Sequence, residues 1–217
     1  GYAVSEEINT DLNELFKMAD YNMYREKLTQ SHSTKSDIVQ SLIKNMKTRD
    51  FSSEKQINQM VKTAILFGEK LGLPQSRLDD LKLLCQFHDL GIVSIPEEIL
   101  LKPAKLTQEE YKEIQGHCEI GYRIALSVAD LAPIADFILK HHEWWNGQGY
   151  PLALKGEEIP LESRILAIVD AFDAMTGTRP FRKRLSTDEA INELTKFSGE
   201  QFDPDLVSVF IELTRNM

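Results

Sequence analysis

SRLDDLKLLCQFHDLG, residues 76–91, is the stretch on which the reading of the fold turns. It reads as a helix from about Ser76 to His88 that stops near Gly91, so it presents the adjacent pair His88-Asp89 at a helix end. Outward from it, the pattern stays helical in both directions. Toward the N-terminus, a helix from about Ser53 to Lys70 stops at Leu71-Gly72-Leu73-Pro74, a glycine-then-proline ending. Before that, Ser36-Asp37 starts a helix with Val39, Leu42, Ile43 and Met46 on one face. Leu28 to Lys35 is polar and reads as a linker, and Asn9 or Thr10 caps a helix through Leu12, Leu15, Phe16, Ala19, Met23 and Tyr24. Toward the C-terminus, Ile95-Pro96 and Lys102-Pro103 mark a bent connection, and Thr107 with Glu110 makes a capping box for the next helix. Residues 146–151 carry the strongest loop signal in the chain. A long helix near Leu161–Met175, a basic turn at Arg179–Arg184 and two closing helices starting near Ser186 and Asp203 complete it. Only residues 2–4 look strand-like. The expected fold is all-α, a helical bundle with an N-terminal strand-plus-helix appendage.

Composition limits the function classes. The chain has 217 residues, one large domain or a domain with an appendage, and enough to bury a core. Hydrophobic residues at 42% and charged residues at 27% exclude wholesale disorder. Thirty-four acids against 25 bases give a net charge of −9, which disfavours nucleic acid and anionic membrane as partners. No apolar run approaches the ~18 residues of a membrane span, and Gly1-Tyr2-Ala3-Val4 is no signal peptide. Cys85 and Cys118 form no CxxC pair and read as buried free thiols, which fits a reducing cytosol. A cytoplasmic location is therefore expected, with a parent chain anchored in a membrane elsewhere still compatible.

The histidines carry the chemistry. There are five, His32, His88, His117, His141 and His142, and four of them fall between residues 88 and 142. His88-Asp89 is one adjacent pair, and His141-His142, followed by Glu143, is another. Imidazole with carboxylate suits borderline divalent metals such as Fe, Mn, Zn or Ni. A lone histidine such as His117 is by itself more often a hydrogen-bonded core or surface residue; the combination is what points to a metal. Asp170 and Asp173, at i and i+3 on an otherwise apolar helix, add to it, because such carboxylates are costly unless paired or metal-bound. Arg179-Pro180-Phe181-Arg182-Lys183-Arg184 puts four bases into six residues, a solvated turn in isolation and a phosphate clamp beside a metal cluster.

These residues resemble a known family. His88-Asp89-Leu90-Gly91, Ile95 to Leu100 and Lys102-Pro103 are similar to the HD core of the HD-GYP proteins, and His141 to Pro151 is similar to that family's naming motif, with its Gly149-Tyr150-Pro151. Gly156 to Pro160, Arg164 to Asp173, Arg179 to Arg182 and Gly199 to Pro204 continue the likeness, which covers roughly residues 36–215. The resemblance implies an HD-domain helical bundle over 35–217 and a metal-dependent phosphohydrolase that cleaves cyclic di-GMP or a related nucleotide. It implies His88, Asp89, His117, His141, His142 and Asp170 as ligands of one or two divalent ions, Fe or Mn foremost, with a metal-bound hydroxide attacking phosphorus. Asp89 and Asp173 would be the catalytic carboxylates. Gly149, Tyr150 and Pro151 would shape the substrate pocket, and Arg179 with Arg182 would hold phosphate. Residues 1–34 resemble the C-terminal end of a GGDEF domain plus linker, through Met18 to Lys27 and the strand at its start, with an unrelated amphipathic helix as the alternative. An upstream GGDEF-like domain of a longer parent chain is the implied partner. The helix over 9–28, cut from such a domain, could instead pack on a second chain, and a homodimer is compatible.

The chain also departs from the family's pattern. Gln56 stands at the family's first histidine, Ser52 where some members supply a glutamate for a third metal, Gln59 at its usual arginine, and Ile92 at the lysine of HDxGK. A carboxamide is a poor ligand, and Ile92 removes a cation where charge develops. Two readings stand: a slow phosphodiesterase, or a degenerate module that binds nucleotide or protein and regulates without chemistry. A further phosphate ester as substrate is the third.

Overall fold

The structure, a computed structural model, describes residues 54–177 and 184–215. In chain order its elements are α1 (Glu54–Lys70), α2 (Gln75–Phe87), a 3₁₀ turn over Leu90–Ser94, α3 (Glu97–Leu100), α4 (Gln108–Gln115), α5 (His117–Ser127), α6 (Ala135–Lys140), α7 (Leu161–Thr176), α8 (Thr187–Lys196) and α9 (Pro204–Arg215). Two further 3₁₀ turns lie at Ala132–Ile134 and Gly156–Glu158. Among the described residues there is no strand, only isolated bridges between Asn146 and Lys155 and between Ser198 and Phe202. The expected all-α bundle is what the chain forms over these residues. The expected strand at 2–4, the helices over 9–28 and 36–46, the boundary at residue 34 and most of the basic turn lie outside the described residues.

Helix α7 organises the bundle. Its Ile165, Leu166, Ile168 and Val169 have no exposed surface, because α1, α2, α6, α8 and α9 all pack against it. Phe67 of α1 and Phe172 of α7 both meet Phe210 of α9, with ring centroids 5.1 and 5.2 Å apart. Phe67 and Phe210 are fully buried, and each such side chain contributes roughly 1.5–3 kcal/mol by its removal from water.

Local chemistry fixes the helix ends. Gly72, at φ +74°, closes α1: Leu73 N donates to Gly68 O and Gly72 N to Glu69 O, both at 3.0 Å. The Thr107–Glu110 capping box forms as expected, with Thr107 N donating to Glu110 Oε2 at 2.7 Å and Glu110 N to Thr107 Oγ1 at 3.2 Å. Ser186 and Glu189 make the same box at α8. Asp203 caps α9 through Oδ1, which accepts from Asp205 N and Leu206 N. The bent connection after Gly91 is more regular than its prolines suggest, since Ile92 N donates to Asp89 O and Ile95 N to Ile92 O, winding it into a 3₁₀ turn. No helix among the described residues is long and apolar enough to cross a membrane.

Candidate metal centre

Three chain segments meet at one point. Asp89 follows α2, His117 opens α5, and His141 and His142 follow α6; one donor atom from each lies within 4.8 Å of all the others. The crossing that allows this depends on two glycines. A Cβ on Gly91 would lie 1.9 Å from His117 O and 2.7 Å from Gly121 N, and one on Gly121 would meet Ile138 Cγ2 at 2.9 Å. Without side chains there, the 3₁₀ turn behind Asp89 packs directly on the backbone of α5, which carries His117.

The ring nitrogens are sorted by their helices. His88 Nδ1, His117 Nδ1 and His141 Nδ1 each face the carbonyl three residues earlier: Cys85 O at 3.2 Å, Ile114 O at 2.6 Å and Ile138 O at 2.6 Å. A carbonyl only accepts, so each Nδ1 carries the proton and each Nε2 keeps its lone pair. His117 Nε2 and His141 Nε2 nevertheless face one another at 3.3 Å. Two lone pairs so placed repel unless a cation lies between them. The spacing is also that of neighbouring nitrogens about 2.0–2.1 Å from one ion. The donor set therefore fits a divalent metal. Asp89 supplies the charge: its Oδ1 lies 3.5 Å from His117 Nε2 and 3.8 Å from His141 Nε2, and its Oδ2 lies 3.3 Å from His88 Nε2.

Electrostatics keeps the ligands in the forms a metal needs. Burial, then the neighbouring His142 and His88, drives His141 well below its ordinary pKa against the pull of Asp89. Burial likewise lowers His142 to about 4. Desolvation works against the Asp89 carboxylate, but His88, His141 and His117 outweigh it and hold its pKa far below the usual range. Neutral His141 and His142 and an ionised Asp89 follow at pH 7. Cys118 Sγ lies 3.6 Å from His117 Nε2, yet burial, with Asp89 nearby, pushes its thiol up and keeps it protonated. Cys85 and Cys118 are both buried and free.

A pH dependence follows. Between the ordinary histidine value of 6.5 and about 4, His142 takes up a proton in the unfolded chain but not in the folded one. The metal-free chain accordingly loses stability as pH falls through that window, and His141 acts in the same direction. Denaturant titrations in EDTA at pH 7, 5.5 and 4.5 are expected to show falling midpoints; a flat profile contradicts this assignment of proton uptake.

The loop after His142 is tied to this centre at both ends. Glu143 is buried, and its two carboxylate oxygens accept from Leu152 N at 2.6 Å and Leu154 N at 2.9 Å. Gly149 rests on the backbone beneath it, where a Cβ would lie 2.2 Å from Trp144 N. Tyr150 N donates to His142 O at 3.2 Å, and the Tyr150 ring lies on the His142 ring with centroids 5.0 Å apart. Burial pushes the Tyr150 phenol up, so it stays protonated. Trp145 N and Asn146 N donate to Gln201 O and Glu200 O, and Arg164, at 2.7 Å from Asp203 Oδ2, places its guanidinium over the Trp145 ring.

The structure thus brings together Asp89, His117, His141 and His142, and sets His88 against the far oxygen of Asp89. Asp170 lies outside the four-atom group but near enough to Cys85 and Tyr150 to raise both. Asp173, Gln56 and Gln59 line a groove between α1 and α7 that none of the four ligand residues lines. Ile92 is half-buried, one 3₁₀ turn past Asp89. Pro151 follows Tyr150 through a cis peptide bond. Arg179 and Arg182 lie outside the described residues. The bracing roles of Glu143, Arg164 and Asp203 have no counterpart in the sequence reading: Glu143 stood out only as a companion of the histidine pair, and Arg164 is 39 residues from its partner.

A family model described as HD domain matches residues 23–206. The cyclic di-GMP phosphodiesterase of Thermotoga maritima is 35% identical over 173 residues, covering 78% of this chain and 46% of its own length. The cyclic di-GMP phosphodiesterase response regulator RpfG of Xanthomonas campestris is 34% identical over 177 residues, covering 81% and 47%. The chain spans less than half the length of these relatives. Among solved structures, a Vibrio cholerae phosphodiesterase specific for cyclic GMP-AMP superposes with a TM-score of 0.63 at 25% identity, covering 81% of this chain and 47% of that one. An HD-GYP-type protein of Bdellovibrio bacteriovorus, at 16% identity and a TM-score of 0.59 over 74% of this chain and 51% of its own, shares the fold.

Proposed function

Because the chain belongs to the HD-domain family and is homologous to the cyclic di-GMP phosphodiesterases of HD-GYP type, we propose that it is a slow metal-dependent phosphodiesterase acting on a cyclic dinucleotide, cyclic di-GMP first. The observation that carries this reading is the pair of unprotonated Nε2 atoms facing each other at 3.3 Å beside an ionised Asp89. Asp89, His117, His141 and His142 would hold a divalent ion, Fe or Mn foremost. Such an ion supplies Lewis acidity at phosphorus and an acidified water as nucleophile. The chain's own residues supply orientation. The helix carbonyls fix the imidazole tautomers, and Asp89 presents one oxygen to His117 and His141 and the other to His88. Tyr150, held by the Glu143-braced loop, covers His142 and keeps bulk water from that side. Asp170 is the candidate ligand for a second ion. Arg179 and Arg182 are the candidate phosphate holders, and Gly149, Tyr150 and Pro151 the walls of the pocket, all on the family resemblance.

One observation favours a second reading, a regulatory module that binds nucleotide without cleaving it. The Gln56 carboxamide occupies the family's histidine position and reaches toward the C-terminal end of α7, where a Cβ on Gly177 would lie 3.1 Å from its Nε2. Hydrolysis of cyclic di-GMP under anaerobic conditions with Fe(II) or Mn(II) decides between them. Metal-dependent linear product that disappears in His142→Ala is expected. No product from a chain shown to hold metal turns the assignment to the regulatory module.

A further inference from the structure

The loop that carries Tyr150 folds back on itself, and its two arms are tied together. Glu143 on the first arm accepts from Leu152 N and Leu154 N on the second, and Trp145 O accepts from Gly156 N at 2.9 Å. The first arm is tied in turn to the segment before α9: Trp145 N donates to Gln201 O at 3.1 Å and Asn146 N to Glu200 O at 2.9 Å. Just beyond, Asp203 is buried and divides its oxygens between two tasks. Oδ1 caps α9, accepting from Asp205 N at 2.9 Å and Leu206 N at 3.2 Å, while Oδ2 accepts from Arg164 Nη1 at 2.7 Å.

A cap needs only the first of these oxygens, and serine or asparagine caps as well as aspartate does. The second oxygen serves the loop. Arg164 is buried over most of its side chain, its Nε makes no hydrogen bond among the described residues, and its guanidinium lies 5.7 Å from the Trp145 ring centroid. Asp203 and the indole are therefore what fix it. A cation over an indole face is attracted to it, so Asp203 places Arg164, Arg164 places Trp145, and Trp145 holds both arms of the loop.

We infer that Asp203 is a positioning residue for the metal centre, acting through Arg164 and Trp145 to keep Tyr150 on the His142 ring. Its consequence for turnover rests on the hydrolase reading; its consequence for the loop does not.

Hydrogen exchange of the 217-residue chain in EDTA, read amide by amide by NMR, tests the link. Asp203→Ser keeps the cap and is expected to speed exchange at the Tyr150, Leu152 and Leu154 amides by about tenfold, with Asp205 and Leu206 unchanged. Arg164→Met is expected to release the same three amides. The double variant carries no unpaired buried charge, and is expected to release them to the same extent as either single change. Recovery of slow exchange in the double variant traces the effect to an uncompensated charge and overturns the inference. Unchanged exchange at the three amides in Asp203→Ser overturns it too. In turnover of cyclic di-GMP by Asp203→Ser, a displaced pocket wall is expected to raise KM about tenfold with kcat held within about twofold. A fall in kcat at constant KM marks a smaller folded fraction and contradicts positioning. A wild-type chain that cleaves nothing removes the hydrolase reading, and the three amides still decide the role of Asp203.

Discussion

Asp89→Asn is expected to strip the cluster of metal and to lower any metal-dependent turnover by about 10³-fold. Asp89 is the anion of the four-residue group, and its two oxygens face three imidazoles, at 3.3, 3.5 and 3.8 Å. The carboxylate does two things there. It offsets the positive charge of a bound ion, and it places one oxygen toward His117 and His141 and the other toward His88. Asparagine keeps the shape and loses the charge, and in one of its orientations it presents an amide donor to the Nε2 lone pairs. None of the remaining imidazoles carries a negative charge, so affinity for a divalent ion falls by more than the 10–100-fold usual for losing an outer-shell partner. Metal content after dialysis, measured by mass spectrometry, reads this without any activity assay. An Asp89→Asn chain that retains metal at the wild-type level would show that the ion is held elsewhere.

The parts of this centre that were legible in the sequence are those made of neighbours. His88-Asp89 and His141-His142 are adjacent residues at helix ends, so local reading finds them. The long helices were legible too, because Ile165, Leu166, Ile168 and Val169 repeat an apolar stripe that packing then buries. What joins His117 to Asp89 is different in kind. It is the contact of Gly91 with the backbone at His117 and Gly121, and in sequence each is only a glycine. Asp170 and Asp173 show a related limit. Spacing of i and i+3 places them on one side of α7, but α7 is packed by several helices, and spacing does not say which of them a carboxylate meets. Asp173 faces the groove with α1, whereas Asp170 lies near Cys85 and Tyr150. In sequence Glu143 is only a companion of the histidine pair. Both of its oxygens are instead occupied by Leu152 N and Leu154 N, partners that a loop geometry supplies and a sequence pattern does not.

Ile92→Lys is expected to raise the rate of cyclic di-GMP hydrolysis by about 10²–10³-fold, the size of effect seen when one charge-stabilising group is added to or removed from a phosphoryl or acyl transfer site. Ile92 N donates to Asp89 O at 2.9 Å, so residue 92 leaves the 3₁₀ turn one step past the carboxylate of the cluster. Its side chain is half-buried, which leaves a lysine room to lay its methylenes along the turn and keep its ammonium in water or on phosphate. The charge matters in this chain because a net −9 works against a dianionic substrate. An ammonium near the developing charge acts on the transition state more than on the ground state, so the gain belongs in kcat with a smaller change in KM. Ile92→Met, of similar length and no charge, separates this from a packing effect and is expected to give no gain. Gln56→His is expected to act differently, raising metal content per chain before it raises the rate, because imidazole replaces a carboxamide. Should Ile92→Lys leave kcat at the wild-type value in a chain with metal bound, the missing cation is not what limits this centre, and the regulatory reading gains what the hydrolase reading loses.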